Sequence, residues 1–166
     1  MSKKEMPGKP VFKKLLVKKA EVNRAENSVS YESEWESMFK LAERWESDVK
    51  FFEDEINFLN ELLARYTMWP IDDAGMENTR HSIDELLRLA RQRDAIAKRI
   101  EIHFTHLTDL VQNPFSHDEQ RCKDEHAKIG ANVADLVQQF REVKRKVFAL
   151  TEHVMNIEKT RHLLNS

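Results

Sequence analysis

The sequence predicts an all-α protein, an antiparallel three-helix bundle of long, coiled-coil-like helices. One reason is the scarcity of helix breakers, since only 3 Gly and 4 Pro occur among 166 residues. The other is that apolar residues recur in alternating steps of three and four along three separate stretches. Such steps keep one face of a helix turned toward its neighbours over many turns. We therefore expect one apolar core, which a chain of this length can bury without disulfides.

The first apolar series predicts a helix over residues 31–66. Ser30 is its expected N-cap, and Pro70 marks its end because proline cannot continue a helix. The series is Trp35, Met38, Ala42, Trp45, Val49, Phe52, Ile56, Leu59, Leu63 and Tyr66.

The second series predicts a helix over residues 76–112, running from Ile83 to Val111 with Arg93 as its one interruption. Its cap can be Asp72, Asp73 or Asn78, and Gly75 leaves the start open. An arginine on an apolar stripe should pair with an acid, and Glu53 of the first helix stands at the matching height. The helix should stop before Pro114. The short connection that follows forces the next helix to run antiparallel.

The third series predicts the longest helix, over residues 117–164. It begins at Cys122 and ends at Leu164, with Ser116 and Glu119 read as a capping box at its start. Residues 30–166 are thus expected to form the bundle.

Residues 1–29 are expected to form a basic, largely flexible tail. Eight lysine or arginine side chains stand against two glutamates in residues 1–24, although the whole chain has a net charge of −2. The alternative is a short amphipathic helix over residues 11–22 that docks as a fourth helix. A basic amphipathic segment also suits an anionic membrane surface. Peripheral membrane association is therefore kept as a second alternative function. Specific binding of nucleic acid is not expected, because Phe12 is the one aromatic residue of the tail.

Several function classes are excluded by missing motifs. The sequence has no GxSxG, no glycine-rich phosphate loop, no GxGxxG and no CxxC, the patterns that common nucleophile and nucleotide sites need. We expect neither enzymatic activity nor a cofactor. A single cysteine, with no apolar run of roughly 20 residues, predicts a cytoplasmic protein without a transmembrane segment.

A group of histidines and a cysteine deserves a separate hypothesis. Cys122 and His126 lie four residues apart on the third helix, and His103 and His106 lie three apart on the second. The antiparallel turn places His103 level with His126 and His106 level with Cys122. Imidazole and thiolate are zinc ligands. The alternative function is therefore a metal-binding bundle, while the favoured interpretation is a structural pair without metal.

Large apolar residues outside the core stripes give the leading functional hypothesis. Phe51, Phe58 and Leu62 form such a row on the first helix, and Phe148 and Met155 form another on the third. Two exposed apolar rows at similar heights along the helices indicate a surface that binds a partner. The sequence therefore favours a non-enzymatic interaction or scaffold protein that binds a protein partner or itself as a homo-oligomer. It leaves open whether the two rows share one groove.

Overall fold

A computed structural model describes residues 26–68, 71–113 and 118–164. It contains three helices: α1 over Glu26–Tyr66, α2 over Asp73–Gln112 and α3 over Glu119–Leu164. No strand occurs in these ranges, so the all-α three-helix fold is confirmed. None of the described helices combines the length and the apolar character needed to cross a bilayer. The predicted tail covered residues 1–29, but residues 26–29 belong to α1. Residues 1–25, and with them the helix predicted over residues 11–22, lie outside the described ranges.

The first and third helices begin at residues other than those predicted, whereas the second begins directly after Asp72, one of its possible caps. The prediction that Ser30 caps the first helix was wrong, because α1 begins at Glu26 and Ser30 lies inside it. No glycine or proline interrupts residues 26–31, so nothing in the sequence stops the helix from extending to Glu26.

Aspartates cap the other two helices. The Gly75 amide donates to Asp72 Oδ1 at 2.7 Å, which allows α2 to begin at Asp73. The Arg121 amide donates to Asp118 Oδ1 at 3.1 Å, so α3 begins at Glu119 and not at residue 117. Each carboxylate satisfies an N–H that the first helical turn leaves unpaired. Ser116, the residue expected to cap α3, lies outside the described ranges.

The helices form two compact units, and every helix contributes to both. Of the described residues, the first unit comprises those up to Val49 and those from Ala95 to Val133, and the second comprises those from Lys50 to Asp94 and those from Ala134 onward.

In the first unit, aromatic contacts join α1 to both other helices. The Phe39 ring meets the Phe104 ring of α2 edge-on at 5.0 Å between centroids, and Trp45 lies 4.5 Å from the His126 ring of α3. The core residues Ile100 and Ile129 are buried there, as the stripe positions predict.

In the second unit, cross-helix pairs fix the direction of each helix. Phe52 packs on Phe140 at 4.9 Å, and Glu55 of α1 pairs with Lys144 of α3, so residue numbers rise together along α1 and α3. Along α2 they fall: Gln92 donates to Asp135, and Lys146 donates to Glu85. The second helix therefore runs antiparallel to the third, as predicted from the short turn.

The core follows the predicted stripe of α1 fully and that of α2 in part. All ten residues of the first series are buried. On α2, Ala90 and Ala97 are only half-buried, whereas Leu89, Ile96 and His103 are almost completely buried. Leucine and isoleucine lose more apolar surface to the core than alanine does, so α2 turns that side inward. This rotation takes His103 into the interior.

Candidate functional site

The five residues predicted to form an interaction surface all lie in the second unit. Phe51, Phe58, Phe148 and Met155 have exposed fractions of 56%, 51%, 42% and 72%, and Leu62 is half-buried. Their position outside the core is therefore as expected. Their role in binding stays a prediction.

An ion pair links the two apolar rows. The Lys144 ammonium of α3 donates to Glu55 Oε2 of α1 at 2.6 Å and lies 5.7 Å from the centre of the Phe148 ring. Glu55 stands four residues after Phe51 and three before Phe58, so all three share one face of α1. The two rows consequently border the same pair of charges. We call these five residues, Phe51, Phe58, Leu62, Phe148 and Met155, the aromatic surface.

Near Phe58 and Phe148, the flanks of the aromatic surface carry acids on α1 and bases on α3, and the exposed Glu152, four residues after Phe148, is an acid on the α3 side. On α1, the exposed acids Asp54 and Glu61 stand four residues before and three after Phe58. On α3, the exposed bases Arg141 and Arg145 stand seven and three residues before Phe148. These spacings place each charge on the helix face of the nearby phenylalanine.

A second group of polar residues lies in the first unit, where histidines of α2 meet residues of α3. His103 is fully buried. Its Nε2 lies 2.9 Å from His126 Nδ1, and its Nδ1 lies 3.2 Å from Glu125 Oε2. The same carboxylate oxygen lies 2.7 Å from His106 Nδ1. The predicted proximity of His103 and His126 is thus found, and Glu125 connects His106 to the pair.

The hydrogen-bond directions follow from the carboxylate. Since an ionised carboxylate only accepts, His103 and His106 both donate their Nδ1–H to Glu125. A neutral His103 then has a lone pair on Nε2, which accepts the Nδ1–H of His126. One neutral tautomer of each ring satisfies these contacts.

Burial and these contacts shift the pKa values of the group. Burial lowers the pKa of His103, although the hydrogen bond to Glu125 opposes this. Burial, with the neighbouring His103, lowers the pKa of His126 to about 4. Burial alone would raise the pKa of Glu125, but hydrogen bonds from His106 and His103 outweigh it and hold this pKa below the usual value. At neutral pH the buried imidazoles are therefore uncharged beside a carboxylate.

Cys122 completes the group as a buried thiol. Burial, followed by the charge of Glu125, raises its pKa to about 11. The thiol is therefore protonated at neutral pH and is a poor nucleophile by itself.

Three of these residues offer donor atoms at short mutual distance. One ligand atom each of His103, Cys122 and Glu125 lies within 4.8 Å of the other two. The prediction named His103, Cys122, His126 and His106. Neither His126 nor His106 belongs to this group of three. His126 contacts Nε2 of His103, the ring nitrogen on the side away from Glu125. We call His103, Cys122 and Glu125 the donor group.

Glu125 is the residue that the sequence prediction missed. It stands three residues after Cys122, the same spacing that separates His103 from His106. Residues three apart project from one face of a helix, and this spacing in α3 was the signal that could have identified it.

An aromatic contact holds His126 in position. The Trp45 ring lies against the His126 ring, and the indole also fills the space beside Gly130, where an added Cβ would lie 3.0 Å from Trp45 Cζ2. Glycine at this position therefore lets the indole approach α3 closely.

The two sites differ in what they can do. The aromatic surface can bury apolar area against a partner, and the donor group can exchange protons or hold a cation, but a protonated buried thiol gives no nucleophilic centre. Comparison of the chain with protein-family models, curated proteins and solved structures found no match.

Proposed function

We propose that this chain is a non-enzymatic interaction protein that self-associates through the aromatic surface. The observation that carries the proposal is the Glu55–Lys144 ion pair, which bridges α1 and α3 between their exposed apolar rows. Burying large apolar side chains contributes roughly 25 cal/mol for each Å² removed from water. Exposed phenylalanines on two adjoining helices are a sizeable reserve of such area.

Charge complementarity favours a second copy as the occupant. Asp54 and Glu61 flank Phe58 on α1, whereas Arg141 and Arg145 flank Phe148 on α3. A two-fold axis parallel to the helices would place α1 of one copy against α3 of the other. Each acidic flank would then face a basic flank, and the same contact would occur twice, as in an isologous dimer.

A helix over residues 11–22 is a poorer occupant because of its limited reach. Phe51 lies roughly 37 Å along α1 from Glu26, at about 1.5 Å per residue. A helix over residues 11–22 would be roughly 18 Å long, and the residues joining it to Glu26 span at most about 14 Å. Folded back along α1, such a helix would end short of Phe51.

The test is the molar mass of the full chain in solution over a concentration series, measured by sedimentation velocity. We expect a concentration-dependent rise in mass for the native chain. Phe58→Asp and Phe148→Asp should each shift the chain to monomer, because burying a carboxylate in an apolar contact is unfavourable. Leu87→Asp, at an exposed leucine of α2, is the matched control and should associate like the native chain.

A charge exchange tests the arrangement of the two copies. Asp54→Arg and Arg145→Asp should each weaken association, and the double variant should recover part of it. Circular dichroism should show unchanged helix content in every variant. A native chain that stays monomeric, or a Phe58→Asp variant that associates like the native chain, would contradict the proposal.

A further inference from the structure

We propose that His103, Cys122 and Glu125 form a binding site for a zinc-type divalent cation in the first unit. This site is separate from the aromatic surface, and the inference does not depend on self-association. It begins from the donor types, because the group offers an imidazole nitrogen, a sulfur and a carboxylate oxygen. Zinc and similar borderline ions accept all three.

The placement of the donors on two facing helices supports this site. His103 and His106 stand three residues apart on α2, and Cys122 and Glu125 stand three apart on α3. Helical bundles build metal sites from such spacings, because both residues of a pair then point toward one place between the helices. Here the Nδ1 atoms of both histidines already converge on Glu125 Oε2.

The distances are close to those of a metal site. Ligand atoms that each lie roughly 2.0 to 2.3 Å from one tetrahedral ion are themselves roughly 3.3 to 3.8 Å apart. His103 Nδ1 lies 3.2 Å from Glu125 Oε2, and the donor atoms of the group lie within 4.8 Å of one another. Side-chain adjustments of about an ångström bring the three into range. His106, already 2.7 Å from the carboxylate, stands next to the fourth position.

His126 supplies the outer contact that a histidine ligand needs. A metal-bound imidazole usually donates its other N–H to a neighbouring group, which fixes the orientation of the ring. With a cation on Nδ1, His103 would carry its proton on Nε2 and donate it to His126 Nδ1, 2.9 Å away, and His126 would carry its own proton on Nε2 instead of Nδ1. Trp45 holds the His126 ring in turn.

The site has a route to solvent. His106, Cys122 and Glu125 line an open cleft in the first unit together with Asp109 and Asp118. His103 itself is fully buried, so a cation would meet the carboxylate and thiol at the cleft before it reached the imidazole. Binding replaces the thiol proton of Cys122, which passes to solvent, and leaves the thiolate and Glu125 to balance the charge of the ion.

The test is a Co²⁺ titration of the full chain, freed of any affinity tag and previously stripped with EDTA. We expect one equivalent of Co²⁺ to bind, with visible ligand-field bands and a thiolate-to-cobalt charge-transfer band in the near ultraviolet. Because the chain has a single cysteine, that band would assign Cys122 as a ligand without any substitution. One equivalent of Zn²⁺ should abolish the bands.

Variants separate the site from binding by surface histidines. Cys122→Ser should remove the charge-transfer band, and both this change and Glu125→Gln should weaken binding by at least about 10-fold, the effect seen even for outer contacts of metal sites. Glu142→Gln, at an exposed acid of α3, is the matched control and should bind like the native chain. Circular dichroism of the metal-free variants checks that they fold.

Three results would overturn the proposal. The first is that the native chain does not bind Co²⁺, and the second is that it binds Co²⁺ without a charge-transfer band. The third is equal affinity in the native chain, in Glu125→Gln and in Glu142→Gln, which would assign the binding to exposed histidines.

Discussion

At the scale of single residues, the unusual feature of the molecule is a group of ionisable side chains near Trp45. His103 is fully enclosed and lies between a carboxylate and a second imidazole. A buried polar group is tolerated when its hydrogen bonds are satisfied, and here neutral imidazoles satisfy them. Protonation of His103 or His126 therefore opposes the folded state.

The stability of the metal-free chain should consequently fall in mild acid. The pKa of His126 is about 4 in the fold against about 6.5 for an ordinary histidine. Between these values the unfolded chain binds a proton that the folded chain does not, so the free energy of unfolding rises with pH. This contribution is complete above about pH 6.5 and is lost as the pH falls toward about 4. The lowered pKa of His103 acts in the same direction.

Urea denaturation in EDTA at about pH 7.5 and about pH 5 measures this effect. His126 should account for a loss of about 2 kcal/mol at the lower pH. His126→Gln should remove most of that difference, whereas His153→Gln, at an exposed histidine of α3, should keep the pH dependence of the native chain. An identical pH dependence in the native chain and in His126→Gln would show that the imidazole does not titrate as described.

At the scale of the helices, packing decides which face of each one turns inward. The apolar stripe of α1 is buried along its whole predicted length, whereas α2 rotates so that Leu89, Ile96 and His103 replace its smaller residues. Arg93 follows the same logic. Its head reaches Glu53 at 3.0 Å and also contacts Asp94, which confirms the predicted partner and adds one from its own helix.

The close approach of α1 to α3 leaves little space for a side chain at Gly130, and a substitution can test this. An added Cβ would lie 3.0 Å from Trp45 Cζ2, so Gly130→Val should destabilise the chain by about 1 to 3 kcal/mol through overpacking. Ala131→Val, at the exposed neighbouring position, introduces the same side chain without the contact and should cost well below 1 kcal/mol through its lower helix propensity. Thermal unfolding of both variants checks the difference. Equal losses of stability in the two variants would mean that the Trp45 side chain moves aside without cost.

At the scale of the whole molecule, the two proposed sites lie in different compact units. The donor group belongs to the first unit, and the aromatic surface belongs to the second. Each can therefore be altered without touching residues of the other, and a failure of one proposal leaves the other standing.

Self-association should make the thermal midpoint depend on protein concentration. A partner that binds only the folded chain stabilises it by mass action, so the midpoint of the native chain should rise as concentration increases. Phe58→Asp should abolish this dependence and leave a constant midpoint. Differential scanning calorimetry over a wide concentration range measures both, with Leu87→Asp as the control that should still show the rise. A midpoint of the native chain that is independent of concentration would argue against a dimer.

The sequence by itself determined the helical fold and most of its core. Steps of three and four fix which side of a helix is apolar, and this local pattern was sufficient to place Trp45, Ile100 and Ile129 inside. The short turn after Asn113 fixed the level of His103 against His126 in the same way. Such features depend on residues that are neighbours along one helix or across one short loop.

Tertiary structure decided the rest, because it depends on the rotation of each helix about its axis. That rotation buried His103, brought Glu125 between the histidines and directed His126 away from the donor group. It also placed Lys144 of α3 against Glu55 of α1. A periodic pattern defines a stripe, but the packing of three helices together selects which flank of that stripe meets which neighbour.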